Sequence, residues 1–204
     1  MNMVLMLFYS IFLVVMPVVI YQIMMMMLGE SKSTLSHYLW TYIMMIYLWM
    51  VFSIAGIGSI WDIFAKGGWS ASLSQANINL IPFQSEGLFT YYMNILMVMP
   101  LGFLLPYLWK NFRNIFKVAL TGFLFSVFIE FSQLFTNRLV DIDDLMMNTV
   151  GAVLGYIIWR VIGEYFFSKN QLDRTKALSV SEPVVYIVLA CTCNFLLFNF
   201  AWFI

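Results

Sequence analysis

The chain has 204 residues, of which 63% are hydrophobic and only 10% are charged. Soluble domains carry about 25% charged residues, so this composition excludes an ordinary soluble domain and indicates an integral membrane protein. The formal net charge at pH 7 is zero, which gives no indication of nucleic acid as a partner. The apolar runs reach about 20 residues, the length of a membrane-crossing helix, whereas the strands of a membrane barrel need only about ten. The sequence therefore predicts an all-α fold, a polytopic transmembrane helical bundle of about six helices.

The apolar runs mark the predicted membrane spans. In chain order these are Val4–Leu28, Leu39–Ile60, Phe89–Trp109, Val118–Phe135, Asp144–Phe167 and Pro183–Ile204. We group them into two N-terminal helices in residues 1–60, a core of three helices in residues 79–165, and a C-terminal helix in residues 183–204.

Residues 61–88 are too polar to cross a membrane, because they contain Asp62, Lys66 and a run of Ser, Gln and Asn. Two alternatives remain open for this segment. Aromatic and apolar side chains would lie in the lipid headgroup layer, where Trp is favoured, or the segment would be a surface loop. The side chains concerned are Trp61, Phe64, Trp69 and Leu73. The sequence also does not distinguish a re-entrant segment from a surface loop here.

The distribution of Lys and Arg predicts the orientation. The predicted first, third and fifth loops hold seven of these residues, namely Lys32, Lys110, Arg113, Lys117, Lys169, Arg174 and Lys176. The other side has Lys66 and Arg138. Basic residues favour the cytoplasmic side, so we expect both termini and the turn around Arg138 to face outward.

Glu130 interrupts the apolar run of the fourth predicted span. A carboxylate at that depth costs roughly 2.5–3.5 kcal/mol on insertion scales, so it persists only where it faces protein or water. An ionisable residue inside a membrane span is therefore a site hypothesis by default.

Two polar stripes flank Arg138 along the chain. Helical spacing places one set of residues on a single face of the fourth span and a second set on a single face of the fifth. The first set is Gly122, Ser126, Glu130 and Gln133, and the second is Asp141, Asp144, Asn148, Gly151 and Gly155. A short turn makes the two helices antiparallel neighbours, so we expect the stripes to meet near the outer membrane surface. Asn94 of the third span reaches the same place if that helix packs alongside.

The candidate ligand-binding residues are thus Glu130, Arg138, Asp141 and Asp144, supported by Asn94, Gln133 and Asn148. Three interpretations of these residues stay open. Arg138 and the amides would bind an anionic headgroup. Alternatively, Glu130 and the aspartates would hold a divalent cation that bridges to a phosphate. In the third, the polar groups only satisfy one another: Glu130 is protonated or paired, and Arg138 forms an ion pair with Asp141. Either Asp143 or Asp144 then caps a helix.

Signatures of catalysis are missing. The only histidine, His37, is predicted to be an exposed loop residue on the opposite side of the membrane. The chain has neither a phosphate-binding Gly loop nor a Ser paired with a His base. Cys191 and Cys193 fall on different helix faces, which disfavours a chelate. We therefore predict no catalytic residue and, apart from the divalent-cation alternative, no cofactor, although paired carboxylates alone can do acid–base work.

The motifs between Asn79 and about Ile162 resemble the VanZ-like family of membrane proteins. The resemblance rests on an ordered set: the Asn-Leu-Ile-Pro-Phe run of 79–83, Asn94, the Pro100–Pro106 segment, Glu130 with Gln133, Arg138, the Asp run of 141–144, and Asn148 with Gly151 and Gly155. Family members commonly show Gly-Arg before the Asp run, whereas this chain has Asn137-Arg138, and Asn accepts a left-handed turn.

This resemblance implies a function at the bacterial cell envelope. The founding member of the family gives low-level resistance to teicoplanin, a lipoglycopeptide-like antibiotic that acts on cell-wall precursors outside the membrane. We therefore expect a protein of the plasma membrane that lowers susceptibility to teicoplanin-type glycopeptides. An outward-facing polar site would recognise a lipid-linked or lipid-tailed ligand, such as a cell-wall precursor or a lipoglycopeptide. The alternatives are an enzyme acting on a lipid-linked phosphate and a small transporter, the latter as a homo-oligomer because six helices are few.

Overall fold

A computed structural model describes residues 3–29, 34–84, 87–163 and 181–199. It confirms the predicted helical bundle. The helices are α1 (Met3–Met27), α2 (Leu35–Ala55), α3 (Ile60–Ala65), α4 (Trp69–Ser74), α5 (Leu88–Leu108), α6 (Ile115–Gln133), α7 (Ile142–Ile158) and α8 (Glu182–Leu197). Two short strands accompany them, β1 (Asn77–Asn79) and β2 (Leu139–Asp141).

Five helical segments in the described ranges are long and apolar enough to cross a membrane. They are Met3–Met27, Leu35–Ala65, Leu88–Leu108, Ile115–Gln133 and Ile142–Gly163. Helix α8 is apolar but shorter, with 16 residues. These segments make the chain a multi-pass membrane protein. The predicted span ends at Phe167 and Ile204, and the basic residues Lys32, Lys169, Arg174 and Lys176, lie outside the described residues.

Capping side chains shift the helix starts from the predicted positions. Helix α2 begins at Leu35 rather than Leu39, because the Thr34 hydroxyl accepts a hydrogen bond from the His37 backbone N–H at 3.3 Å. Helix α6 begins at Ile115 rather than Val118, because the Asn114 side chain accepts from the Phe116 N–H at 2.9 Å. Hydropathy locates the apolar run, but the cap decides where the helix begins.

The segment 61–88 is not an irregular loop. It contains α3, α4 and β1, and β1 pairs in parallel with β2 so that Asn79 lies opposite Asp141. Asp62 caps α3 by accepting from the Ser59 N–H at 2.7 Å. The apolar side chains that one of the two alternatives placed in the headgroup layer are between 40% and 62% exposed on the protein, namely Trp61, Phe64, Trp69 and Leu73. The strand pairing was not predicted, because three residues of parallel pairing leave no periodic signal.

Glycine allows helices α5 and α7 to meet backbone to backbone. A Cβ on Gly155 would lie 2.0 Å from the carbonyl oxygen of Met99, and one on Gly102 would lie 1.9 Å from that of Ala152. The small residues of α7 thus let this helix pack closely against α5, as small residues do where membrane helices meet. This contact fixes the acidic start of α7 beside the start of α5.

Candidate ligand-binding site

Asp141 stands at the junction of β2 and α7 and links three elements. As the N-cap of α7, its carboxylate accepts from the Asp143 N–H at 3.0 Å. The Asn79 side chain of β1 donates to the same carboxylate at 3.3 Å. The Asp141 backbone N–H donates in turn to Glu130 Oε2 of α6 at 3.0 Å. Strand pairing and helix capping together bring Asp141 to Glu130.

Asp143, in the first turn of α7, binds the segment that follows β1. Its buried carboxylate accepts from the Phe83 backbone N–H at 2.8 Å and from the Tyr91 hydroxyl at 2.7 Å. Phe83 has a φ of 62°, which is uncommon for a bulky residue and shows that its surroundings fix it. Asp143 and Tyr91 were not among the predicted site residues. The signal was present, because Asp143 and the run of 79–83 both belong to the motifs that carry the family resemblance.

Helices α5, α6 and α7 supply the other amides that were predicted for the site. The Asn94 side chain of α5 donates to the Asp144 carboxylate. Asn148 of α7 donates to the Ser126 hydroxyl of α6 at 2.9 Å. The structure thus brings Glu130, Asp141, Asp144, Asn94 and Asn148 to one end of the bundle, as the two polar stripes predicted. We call this set, with Asp143, the acidic cluster.

The structure does not bring Gln133 and Arg138 to these carboxylates. The Gln133 amide donates to the Ala55 carbonyl at 2.8 Å, toward the end of α2. Arg138 is exposed, and its guanidinium lies against Gly56, where an added Cβ would be 2.7 Å from Nε. Within the described residues it makes no ion pair with Asp141, so the bridge expected in the third interpretation is not seen.

Two side chains of this cluster, Glu130 and Asn148, each keep one buried oxygen without a hydrogen-bond partner among the described residues, and Glu130 is the ionisable one. Its side chain is only 7% exposed, and Oε1 has no hydrogen-bond partner among the described residues. The charged groups that act on it are the carboxylates of Asp144 and Asp141. Because like charges repel strongly where water is excluded, this end of the bundle favours a positive or hydrogen-donating group.

A groove between α6 and α7 opens beside Glu130. It has a volume of about 270 Å³. Its lining combines the two carboxyl residues Glu130 and Asp141 with apolar side chains that include Val127, Phe131 and Leu145. Val127 and Phe131 are 39% and 45% exposed on the outside of the protein, where the hydrocarbon of a bilayer would lie. We call this feature the α6–α7 groove.

Among the residues that the structure describes, no group of three or more His, Cys, Asp or Glu side chains is arranged to hold a metal ion. A divalent cation at the acidic cluster would need amide, backbone or ligand oxygens as further partners, which are groups that hard cations accept.

A second polar cluster lies at the opposite end of the bundle, and it corrects the prediction for His37. His37 is fully buried in the first turn of α2, and its Nε2 lies 3.1 Å from Glu182 Oε1. The Trp109 indole N–H donates to Glu182 Oε2 at 2.8 Å, and the Tyr186 hydroxyl donates to Oε1 at 2.6 Å. Sequence reasoning missed the cluster because His37 and Glu182 are 145 positions apart.

This histidine–glutamate cluster ties the ends of four helices together. Gln22 of α1 donates to the Tyr186 hydroxyl at 3.0 Å, and Tyr42 of α2 donates to Gln22 Oε1 at 2.6 Å. Trp109 directly follows α5 and Glu182 begins α8, so the network joins α1, α2, α5 and α8. Its position and connections are those of a structural anchor.

Comparison with known proteins places the chain in a family. The family model described as VanZ/LLP1 matches residues 6–163. The match begins in α1 and so extends further than the motifs from Asn79 onward, including both N-terminal helices. Searches of curated proteins and of solved structures found no match. The protein is a multi-pass membrane protein that belongs to the VanZ/LLP1 family.

Proposed function

We propose that this protein recognises a lipid-linked or lipid-tailed ligand at the acidic cluster, on the outer face of a bacterial plasma membrane. Binding there would lower susceptibility to teicoplanin-type glycopeptide antibiotics, the activity that the family resemblance implies. The excess of Lys and Arg in the first, third and fifth loops predicted from the sequence supports the outward orientation.

One observation carries the proposal: the incompletely bonded Glu130 lines a groove whose other walls are largely apolar. Buried carboxylates that serve only the fold are normally supplied with donors on both oxygens. A carboxylate with a spare oxygen, next to a groove on the lipid-facing side of α6, suits a ligand with both a chain and a polar head.

The proposed roles follow from the contacts. Glu130, Asp141 and Asp144 would face the polar head of the ligand, and Asn94 would orient Asp144 through its hydrogen bond. Asn148 would hold α7 against α6. Arg138 and Gln133 lie toward Gly56 and Ala55, so they would contribute at the rim of the site.

The test is a titration of the purified protein in lipid nanodiscs. Teicoplanin and a lipid-linked cell-wall precursor would be added separately, with and without Mg²⁺, to wild type, Glu130→Gln and Arg138→Ala. We expect saturable binding that weakens at least ten-fold in Glu130→Gln and little in Arg138→Ala. Absence of binding to both probes by a folded wild type would refute ligand recognition. Loss only in Arg138→Ala would instead favour an anionic headgroup held at the rim, and a requirement for Mg²⁺ would favour the divalent-cation interpretation.

The proposed effect on antibiotic susceptibility is tested by bacterial growth. Expression of wild type in a susceptible bacterium should raise the teicoplanin concentration that stops growth, and Glu130→Gln at equal membrane abundance should not. Equal susceptibility with and without the wild-type protein would contradict the resistance part of the proposal.

A further inference from the structure

The chemistry of the α6–α7 groove is specific enough to indicate the class of its ligand. Its polar part consists of two carboxyl residues, Glu130 and Asp141. Asp141 already accepts hydrogen bonds from Asn79 and from the Asp143 N–H. Glu130 accepts one backbone hydrogen bond through Oε2, and Oε1 has no partner among the described residues. Glu130, which lines the groove, therefore still lacks a donor at Oε1 among the described residues.

The charges near Glu130 restrict that donor further. Among the described residues, the carboxylates of Asp144 and Asp141 act on Glu130, and Arg138 lies against Gly56. A ligand whose head placed a carboxylate or phosphate, rather than a cation, directly against Glu130 would meet this negative potential at close range and be repelled. A primary ammonium carries the opposite charge and three N–H donors, with no acceptor that would be left unpaired. A quaternary ammonium has the charge but no N–H to donate.

The rest of the groove suits an alkyl chain. Val127, Phe131, Leu134 and Leu145 line it with apolar side chains. Val127 and Phe131 belong to α6, one of the helices able to cross the membrane, and both are partly exposed on its outer side. A chain in this position would remain in contact with the bilayer hydrocarbon while its head reached Glu130.

We propose that the α6–α7 groove binds an amphiphile with an alkyl chain and a primary ammonium group, with the ammonium donating to Glu130 Oε1 and the chain lying along Val127 and Phe131. This inference rests on the proposed function and names the ligand class of the same site. Two sources share this chemistry: a membrane lipid with a primary-amine headgroup, and a lipid-tailed antibiotic that carries an amine.

The experiment counts bound lipids on the full-length protein by native mass spectrometry in detergent. The probes are phosphatidylethanolamine, phosphatidylcholine and phosphatidylglycerol with identical chains. They separate a primary ammonium from a quaternary ammonium and from an anionic head without an amine. The variants are Glu130→Gln, which removes the carboxylate, Val127→Trp, which retains the carboxylate and puts a larger side chain into the groove, and Asp62→Asn as a matched control for loss of a carboxylate elsewhere.

We expect wild type and Asp62→Asn to bind phosphatidylethanolamine at least ten-fold more tightly than the other two lipids. Glu130→Gln should lose that preference, and Val127→Trp should lose binding of all three lipids at the site. Equal binding of the three lipids by wild type, or an unchanged preference in Glu130→Gln, would overturn the inference. If one variant does not fold, the other still tests the groove.

A competition arm separates this inference from the proposed function. Teicoplanin binding that survives excess phosphatidylethanolamine and the Glu130→Gln change would overturn the ammonium inference while leaving antibiotic recognition intact. Conversely, Glu130-dependent binding of phosphatidylethanolamine without any teicoplanin binding would support the inference and contradict the antibiotic part of the proposed function.

Discussion

Each end of this bundle buries a glutamate, but the two glutamates differ in the hydrogen-bond partners of their oxygens. Both oxygens of Glu182 have partners: Oε1 contacts His37 and Tyr186, and Oε2 accepts from Trp109. Glu130 has one backbone donor, a spare oxygen and acidic neighbours. The first arrangement is that of a residue that stabilises the fold, and the second leaves room for a further group. Burial of a carboxylate alone therefore does not point to a site, whereas an unfilled hydrogen-bonding position beside a groove supports the site proposed above.

The largest effect should come from removing Glu182, the glutamate whose two oxygens both have partners. Glu182→Leu leaves the buried donors of His37, Trp109 and Tyr186 without an acceptor. Removing one partner of a buried pair costs about 3–5 kcal/mol, so we expect a loss of that size in the free energy of unfolding, measured by denaturant titration in micelles. Glu182→Gln keeps one acceptor oxygen and should lose less. A Glu182→Leu protein as stable as wild type would show that the histidine–glutamate cluster is not an anchor.

The second largest effect is expected for Gly155→Ala, which tests the close packing of α5 against α7. Gly155→Ala places a Cβ about where the Met99 carbonyl lies, so α5 and α7 must separate. Overpacking of this kind costs about 1–3 kcal/mol, which thermal unfolding would detect. Gly87→Ala is the matched control, since nothing lies within 4 Å of its added Cβ. Equal stability of the two variants would mean that the helices are not in backbone contact.

A smaller effect should follow at Asp143. Tyr91→Phe removes the hydroxyl that donates to this buried carboxylate and leaves the Phe83 N–H in place. The loss of one hydrogen bond should lower the free energy of unfolding by about 0.5–1.5 kcal/mol. The neighbouring Tyr92 is 62% exposed, so Tyr92→Phe should change little. Thermal shifts of the two variants measured side by side give the comparison, and a larger shift for Tyr92→Phe would contradict the placement of Tyr91.

The smallest effect on stability is expected for Glu130→Gln, which is compared with the same substitution at Glu182. Glu130→Gln keeps an oxygen that can accept from the Asp141 N–H. It also replaces a carboxylate beside two other acids with a neutral amide, whose NH₂ group would take the position of Oε1. The free energy of unfolding should fall by less than about 1 kcal/mol or even rise. Glu182→Gln, the same change at the other end, should be clearly destabilising. If Glu130→Gln is the more damaging of the two, Glu130 is the structural residue.

Much of the membrane architecture followed from local sequence. Long apolar runs located the five spans because a helix that crosses hydrocarbon must be apolar along most of its length. Helical spacing placed Glu130 on a face with Ser126, and Asp144 on a face with Asn148, and the short turn between α6 and α7 made these faces neighbours. Both inferences use contacts between residues close in the chain, which the sequence records directly.

The hydrogen-bond partners of these residues depended on segments far apart in the chain. The pairing of β1 with β2 joins Asn79 to Asp141, Asp143 reaches back to Phe83, and His37 meets Glu182. No periodicity or spacing predicts such pairs, because they form only when helices dock through glycine contacts and caps. The sequence by itself determined a VanZ-like helical membrane protein with acidic residues gathered near the start of α7. Only the tertiary structure decided which carboxylate is satisfied and which still lacks a donor, because that depends on what the rest of the chain brings to each oxygen.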